Sequence, residues 1–155
     1  MIELEQITKE NLHDCKAFET AYDDHLKVYM SRLHPNSHEE FDRLTKAGLL
    51  RWYYIIVDQK RVGSIWLEKS EITDDSAVLG LFIDDDRCRG KGVGKYVIEH
   101  IIDKNAGELN LAKVILRVRF NNPRAIRCYE KCGFHETNRK VGSTGIVGLT
   151  MVKEL

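Results

Sequence analysis

The residues most able to do chemistry lie in Arg89-Gly90-Lys91-Gly92-Val93-Gly94. Three alternate glycines let a backbone approach a bulky group closely. An apolar run, Ala77 to Ile83, precedes them and reads as a buried central strand. An amphipathic helix follows from about Gly92, with Val93, Val97, Ile98, Ile101 and Ile102 on one face. A helix start offers unpaired N–H donors and a partial positive charge. The strand-loop-helix junction is therefore an anion cradle suited to a phosphate or pyrophosphate. Arg87, Arg89, Lys91 and Lys95 add local positive charge.

Two familiar phosphate loops do not fit. G-x-x-x-x-G-K-[ST] fails because Tyr96 follows Lys95. G-x-G-x-x-G fails because Gly94 comes one residue too early and no βαβ unit opens the chain. A second candidate segment is Asn122-Pro123-Arg124-Ala125-Ile126-Arg127-Cys128-Tyr129-Glu130-Lys131-Cys132-Gly133-Phe134. Asn122 caps a helix there and Pro123 takes its first position. Tyr129, on the stripe of Ala125, Ile126 and Cys132, reads by spacing alone as a core aromatic.

The rest of the chain must position these groups. Its 155 residues suit one domain, 1–155, able to bury a core without disulfides or metal. Ile2 to Ile7 reads as a strand, and apolar residues from Leu12 to Leu33 recur at helical spacing, with Thr8 as a cap. Ser37 and Glu40 make a capping box for a short helix closed by Gly48. Strands follow at Arg51–Val57, Val62–Lys69, Lys113–Phe120 and Ile146–Val152, with one more between Phe134 and Val141. Hairpins first and crossovers later predict an α/β mixed sheet with helices on both faces.

Composition narrows the function. Formal net charge is zero, from 24 basic and 24 acidic residues, which argues against a nucleic-acid partner. The longest apolar run, Trp52 to Val57, is too short to span a membrane, and Met1 to Glu5 has no secretory character. A cytoplasmic protein is expected. Cys15, Cys88, Cys128 and Cys132 form no C-x-x-C pair and read as buried reduced thiols, and no histidine pattern suggests a metal.

Read at Arg89, Gly92 and Gly94, R-x-x-G-x-G resembles the acyl-CoA loop of the GNAT superfamily of N-acetyltransferases. Asn122 to Phe134 resembles that family's N-x-x-A-x-x-x-Y-x-x-x-G-F segment. The two motifs stand in the family's order, and the element order from Ile2 to Leu155 is similar. The resemblance implies the acyl-CoA N-acyltransferase fold and acetyl-CoA as co-substrate, with no metal. It implies that the strand at Leu81, Phe82 and Ile83 parts from its neighbour to admit the pantetheine arm. The pyrophosphate then lies on the amides of Gly90, Lys91, Gly92, Val93 and Gly94 beside Arg89, and Asn122 bonds the pantetheine region. It implies direct acetyl transfer to an amine, with Tyr129 protonating the leaving thiolate and a strand N–H stabilising the oxyanion.

Many relatives carry a glutamate on that strand, whereas Val78-Leu79-Gly80-Leu81 has none. Asp84, Glu68 and His25 are candidate bases acting through water, each also readable as an ordinary surface residue. Asp84-Asp85-Asp86 would repel a phosphate unless directed away from it. The acceptor, a small amine or a peptide N-terminus, is unassigned, and a homodimer is among the states open to the chain. The alternative is a catalytically silent acyl-CoA-binding domain of the same fold.

Overall fold

The computed structural model describes residues 1–12 and 38–155. The expected helix between Leu12 and Leu33, with Cys15 and His25, and the Ser37 half of the capping box lie outside the described residues. Within them, seven strands form one sheet: β1 (Ile2–Gln6), β2 (Leu50–Val57), β3 (Lys60–Glu68), β4 (Ser76–Ile83), β5 (Lys113–Arg119), β6 (His135–Val141) and β7 (Val147–Glu154). Three helices accompany it: α1 (His38–Lys46), α2 (Val93–Asn105) and α3 (Pro123–Lys131). The strand order is β1-β2-β3-β4-β5-β7-β6, with β4–β5 the parallel pair and the others antiparallel. The mixed sheet and the extra strand after Phe134 match the expectation. Near the N-terminus, Thr8 and Asn11 exchange bonds that close a turn.

Each face of the sheet has its own core. On one, Val97, Ile98 and Ile101 of α2 pack against Ile65, Leu67, Leu79, Val114 and Leu116. Each such aliphatic side chain, fully buried, contributes roughly 1.5–3 kcal/mol. On the other, Phe41 and Leu44 of α1 meet Leu50, Trp52, Tyr54 and Trp66. The alternating side chains of β2 and β3 divide between the two cores: Tyr53, Ile55, Ile65 and Leu67 join the first, Leu50, Trp52, Tyr54 and Trp66 the second.

The sheet is not continuous through its middle. β4 pairs with β5 only from Ser76 to Val78. Beyond that, β4 stays bonded to β3 as far as Ile83, while β5 stays bonded to β7 as far as Arg119. Each strand holds to its own antiparallel half, so a gap opens between Leu79–Ile83 and the end of β5. This corrects the expectation of a strand buried on both faces: residues 80–83 are half-buried.

Candidate active site

The groove at this gap has a volume of about 990 Å³. Its walls are the end of β4, the start of α2 and one face of α3. The loop between β4 and α2 is shaped by its glycines for different reasons. Gly90 and Gly92 have φ of 74° and 77°, in the left-handed region that side chains resist. Gly94 has an ordinary φ, but a Cβ there would lie 3.1 Å from the Cys128 sulfur, so it allows α2 to approach α3 closely.

The donors of this loop are open. Gly92 caps α2 without a side-chain bond, and the first turn holds no acidic residue. The amides from Gly90 to Lys95 donate to no group among the described residues. The helix start thus presents several N–H groups with no acid in its first turn, the carboxylate that borders the same groove being Asp86.

Two members of the aspartate run, Asp85 and Asp86, are paired with arginines where they stand. Asp85 caps a single 3-10 turn, Asp86–Cys88, by accepting from the Arg87 N–H at 2.9 Å, and its carboxylate also takes the Arg87 guanidinium at 2.9 and 2.7 Å. These bonds hold the Asp85 carboxyl well below the ordinary carboxylate range. Asp86 pairs with Arg89 Nε at 3.0 Å. Arg87 is therefore engaged away from the groove, contrary to its expected part in the basic field. Lys95 lines the groove, joined by Arg124, Arg127 and Lys131 from α3. Their spacing on one helix edge was the available signal for this second basic wall.

Asn122 fulfils its capping role, accepting from the Ala125 N–H at 3.3 Å, and also lines the groove. Tyr129 lines it too, with a half-buried ring set edge-on to Phe134 at 6.2 Å between centroids. That partner is delivered by the end of α3: Gly133 takes φ 95°, and the Phe134 N–H bonds the Tyr129 carbonyl at 3.0 Å. Burial pushes the Tyr129 phenol above its ordinary value, and the thiols of Cys128 and Cys132 push the same way.

The structure gathers Leu81, Ile83, Arg89, Gly90, Gly92, Val93, Gly94, Asn122 and Tyr129 around one groove. Phe82 and Lys91 are not part of its lining: Phe82 alternates to the other face of β4, and Lys91 is exposed. Sequence reading missed Cys128, which is half-buried on the groove and not sealed in the core. Of the candidate bases, Asp84 is exposed beyond the end of β4. Glu68 is buried opposite Val78, where β4 and β5 still pair. That is three residues, about 10 Å of strand, from Ile65, the partner of Leu81.

Known proteins share this architecture. A dodecameric spermidine N-acetyltransferase from Vibrio cholerae superposes with a TM-score of 0.77 at 20% identity, over 99% of this chain and 93% of that one. The aminoglycoside acetyltransferase AAC(6')-Ib, in complex with coenzyme A and kanamycin, superposes with a TM-score of 0.66 at 17% identity, over 99% and 95%. In sequence, the spermidine N(1)-acetyltransferase of Vibrio cholerae is 26% identical over 123 residues, 78% of this chain. The spermine/spermidine N(1)-acetyltransferase of Bacillus subtilis is 30% identical over 98 residues, 63% of this chain. The matched stretches span 63% and 55% of those two relatives' own lengths. Residues 15–134 match the model of the Acetyltransferase (GNAT) family, and with the groove and fold described above the chain belongs to that family.

Proposed function

We propose that this protein transfers an acetyl group from acetyl-CoA to an amine within one ternary complex. The observation that carries this reading is the set of open amides from Gly90 to Lys95 at the mouth of the gap between β4 and β5. An uncapped helix start suits a diphosphate, and an unpaired strand edge suits the amides of an extended pantetheine arm.

In this reading Gly90, Lys91, Gly92, Val93 and Gly94 hold the pyrophosphate through their backbone, and Arg89 adds charge. Leu81, Phe82 and Ile83 offer strand backbone to the pantetheine, and the Asn122 amide nitrogen, free of the cap bond, supplies a further donor. The thioester supplies an activated acetyl group. A strand N–H stabilises negative charge developing on its carbonyl oxygen. Tyr129 keeps its proton at neutral pH and gives it to the departing sulfur. With Glu68 and Asp84 placed as they are, the amine reaches the carbonyl already neutral or loses its proton through water to His25.

The acceptor is a small amine, and the names of the relatives put polyamines first among those to be tried. The test is release of free thiol from acetyl-CoA against a panel of spermidine, spermine, an aminoglycoside and a short peptide. Thiol release with at least one amine supports transfer. Tight acetyl-CoA binding with no release from any amine supports the silent binding domain instead.

A further inference from the structure

The amides of the β4–α2 loop account for a diphosphate, but the groove carries more positive charge than that. Arg124, Arg127 and Lys131 stand at i, i+3 and i+7 of α3, along one edge about 10 Å long. All three line the groove, as does Lys95 of α2, and all four are exposed. Among the described residues the three on α3 make no hydrogen bond or ion pair, and Lys95 has only a 3.8 Å contact with Glu99. Glu130, the acid of α3, pairs with none of them. Asp86, the acid on the groove wall, is held by Arg89. Left to itself this arrangement is unfavourable. Like charges three and four residues apart on a helix repel. Arg124 and Lys95 also stand in the first turns of α3 and α2, at the positive end of each helix, and neither first turn has an acid to offset them. The fold gains nothing from these charges, whereas an anion in the groove gains from all four.

We infer that Arg124, Arg127 and Lys131, with Lys95 across the groove, hold the 3′-phosphate of the coenzyme and make this chain select coenzyme A over its 3′-dephospho form. The inference rests on the coenzyme reading above and adds to it a phosphate that the loop does not serve. In coenzyme A the ribose that bears the 5′-diphosphate bears a monoester phosphate on its 3′ oxygen. With the diphosphate on the amides from Gly90 to Lys95, the second phosphate lies one sugar away. A monoester phosphate carries about two negative charges at neutral pH. Neutral amides and a helix start suit the diphosphate; a dianion is held better by full opposite charges. The two arginines offer planar forks that match phosphate oxygens, and the lysines offer point charges. The 3′-phosphate is remote from the thioester, so these side chains act on affinity and not on the chemical step.

The experiment is calorimetry at fixed ionic strength with coenzyme A and with 3′-dephospho-coenzyme A, on the wild type and on a triple variant, Arg124→Gln with Arg127→Gln and Lys131→Gln. The wild type should bind coenzyme A more tightly by roughly tenfold or more, the worth of at least one charge-assisted hydrogen bond. The triple variant should lose most of that preference, while its affinity for the dephospho form falls far less. In acetyl transfer its KM for acetyl-CoA should rise and its kcat should hold. Relieved of the repulsion along α3, the variant without coenzyme should melt at or above the wild-type temperature; a lower one would assign the cations to the fold and count against the inference. Should the triple variant fail to fold, the ratio of the two affinities in the wild type and in Arg127→Gln decides the matter. The inference is overturned if the triple variant weakens on both forms alike, which would make the cations a general field. Binding of both forms by the wild type without preference defeats this inference alone, and binding of neither defeats the coenzyme reading itself.

Discussion

The indole of Trp66 lies across Gly80 on the neighbouring strand, so that a Cβ at position 80 would fall 2.0 Å from two of its ring carbons. The same ring stacks on Trp52 with 4.5 Å between centroids. Gly80 is thus the space that lets a tryptophan lie flat on β4 just where that strand leaves β5. Gly80→Ala should force the ring off its place and destabilise the fold by about 1–3 kcal/mol, the usual cost of overfilling a packed site. Denaturant unfolding measures it, and a shift in tryptophan emission reports the displaced ring. In a Trp66→Leu background the same Gly80→Ala change should cost measurably less. An equal cost in both backgrounds would show that the clash does not decide this position.

Asn122 holds two duties that substitution can separate. Its oxygen caps α3, and Asn122→Ala should cost about 1 kcal/mol of stability, as lost caps usually do. Asn122→Asp keeps the accepting oxygen and removes the amide donor. If the donor serves the coenzyme, Asn122→Asp should keep the unfolding midpoint and raise KM for acetyl-CoA several-fold. An unchanged KM would reduce Asn122 to a cap.

What could be read in advance followed the range of the interactions. The glycine loop, the cap at Asn122 and the buried face of α2 are set by neighbours a few residues apart, and each was legible in the spacing of glycines and apolar residues. The parting of β4 from β5 was not legible in Ala77–Ile83 itself. It arises because the hairpin partner β3 holds β4 from Val78 to Ile83 while β7, remote in sequence, holds β5 from Lys113 to Arg119. Spacing alone made Tyr129 a core aromatic; the family motif moved it toward the site, and the structure gives it a half-buried ring that also borders the groove. Cys128 was misread because an apolar stripe does not reveal which of its members meets a cavity. The aspartate run read as a threat to phosphate binding until the Asp85–Arg87 and Asp86–Arg89 pairs were visible.

The first of those pairs carries a pH signature. Arg87 holds the folded-state Asp85 carboxyl low, through its side chain first and its backbone N–H second. A carboxyl lowered on folding stabilises the fold above its unfolded value of ~3.9, and that contribution is lost as pH falls through the folded value. Asp85→Asn can still cap the turn but has no charge to give Arg87. The stability difference between wild type and Asp85→Asn should therefore be constant from neutral pH to about 4 and shrink below it. It should be small throughout, since the Arg87 side of the pair is exposed. Thermal midpoints measured across pH check this, and a difference that survives undiminished at the acid end would assign the effect to the cap alone.

Tyr129 gives the most direct test of the proposed chemistry. Phe134 fixes its ring, and a phenylalanine at 129 preserves that edge-on contact while removing the hydroxyl. Tyr129→Phe should therefore fold as the wild type does, with an unchanged melting temperature and little change in KM for acetyl-CoA. Its kcat should fall by roughly 10²-fold, the lower end of the range for a positioned general acid. The pH profile adds a second readout. Burial raises the phenol above its ordinary value, so the acid form persists past pH ~10. Wild-type kcat should then show no alkaline fall attributable to Tyr129 within the usual assay range, and any rising limb should reflect the amine losing its proton. The rising limb should survive in Tyr129→Phe at the lower rate. A variant that turns over as fast as wild type with acetyl-CoA saturating would take the proton-donor role away from Tyr129, and one that loses coenzyme binding together with turnover would make the residue a wall of the groove and not its acid.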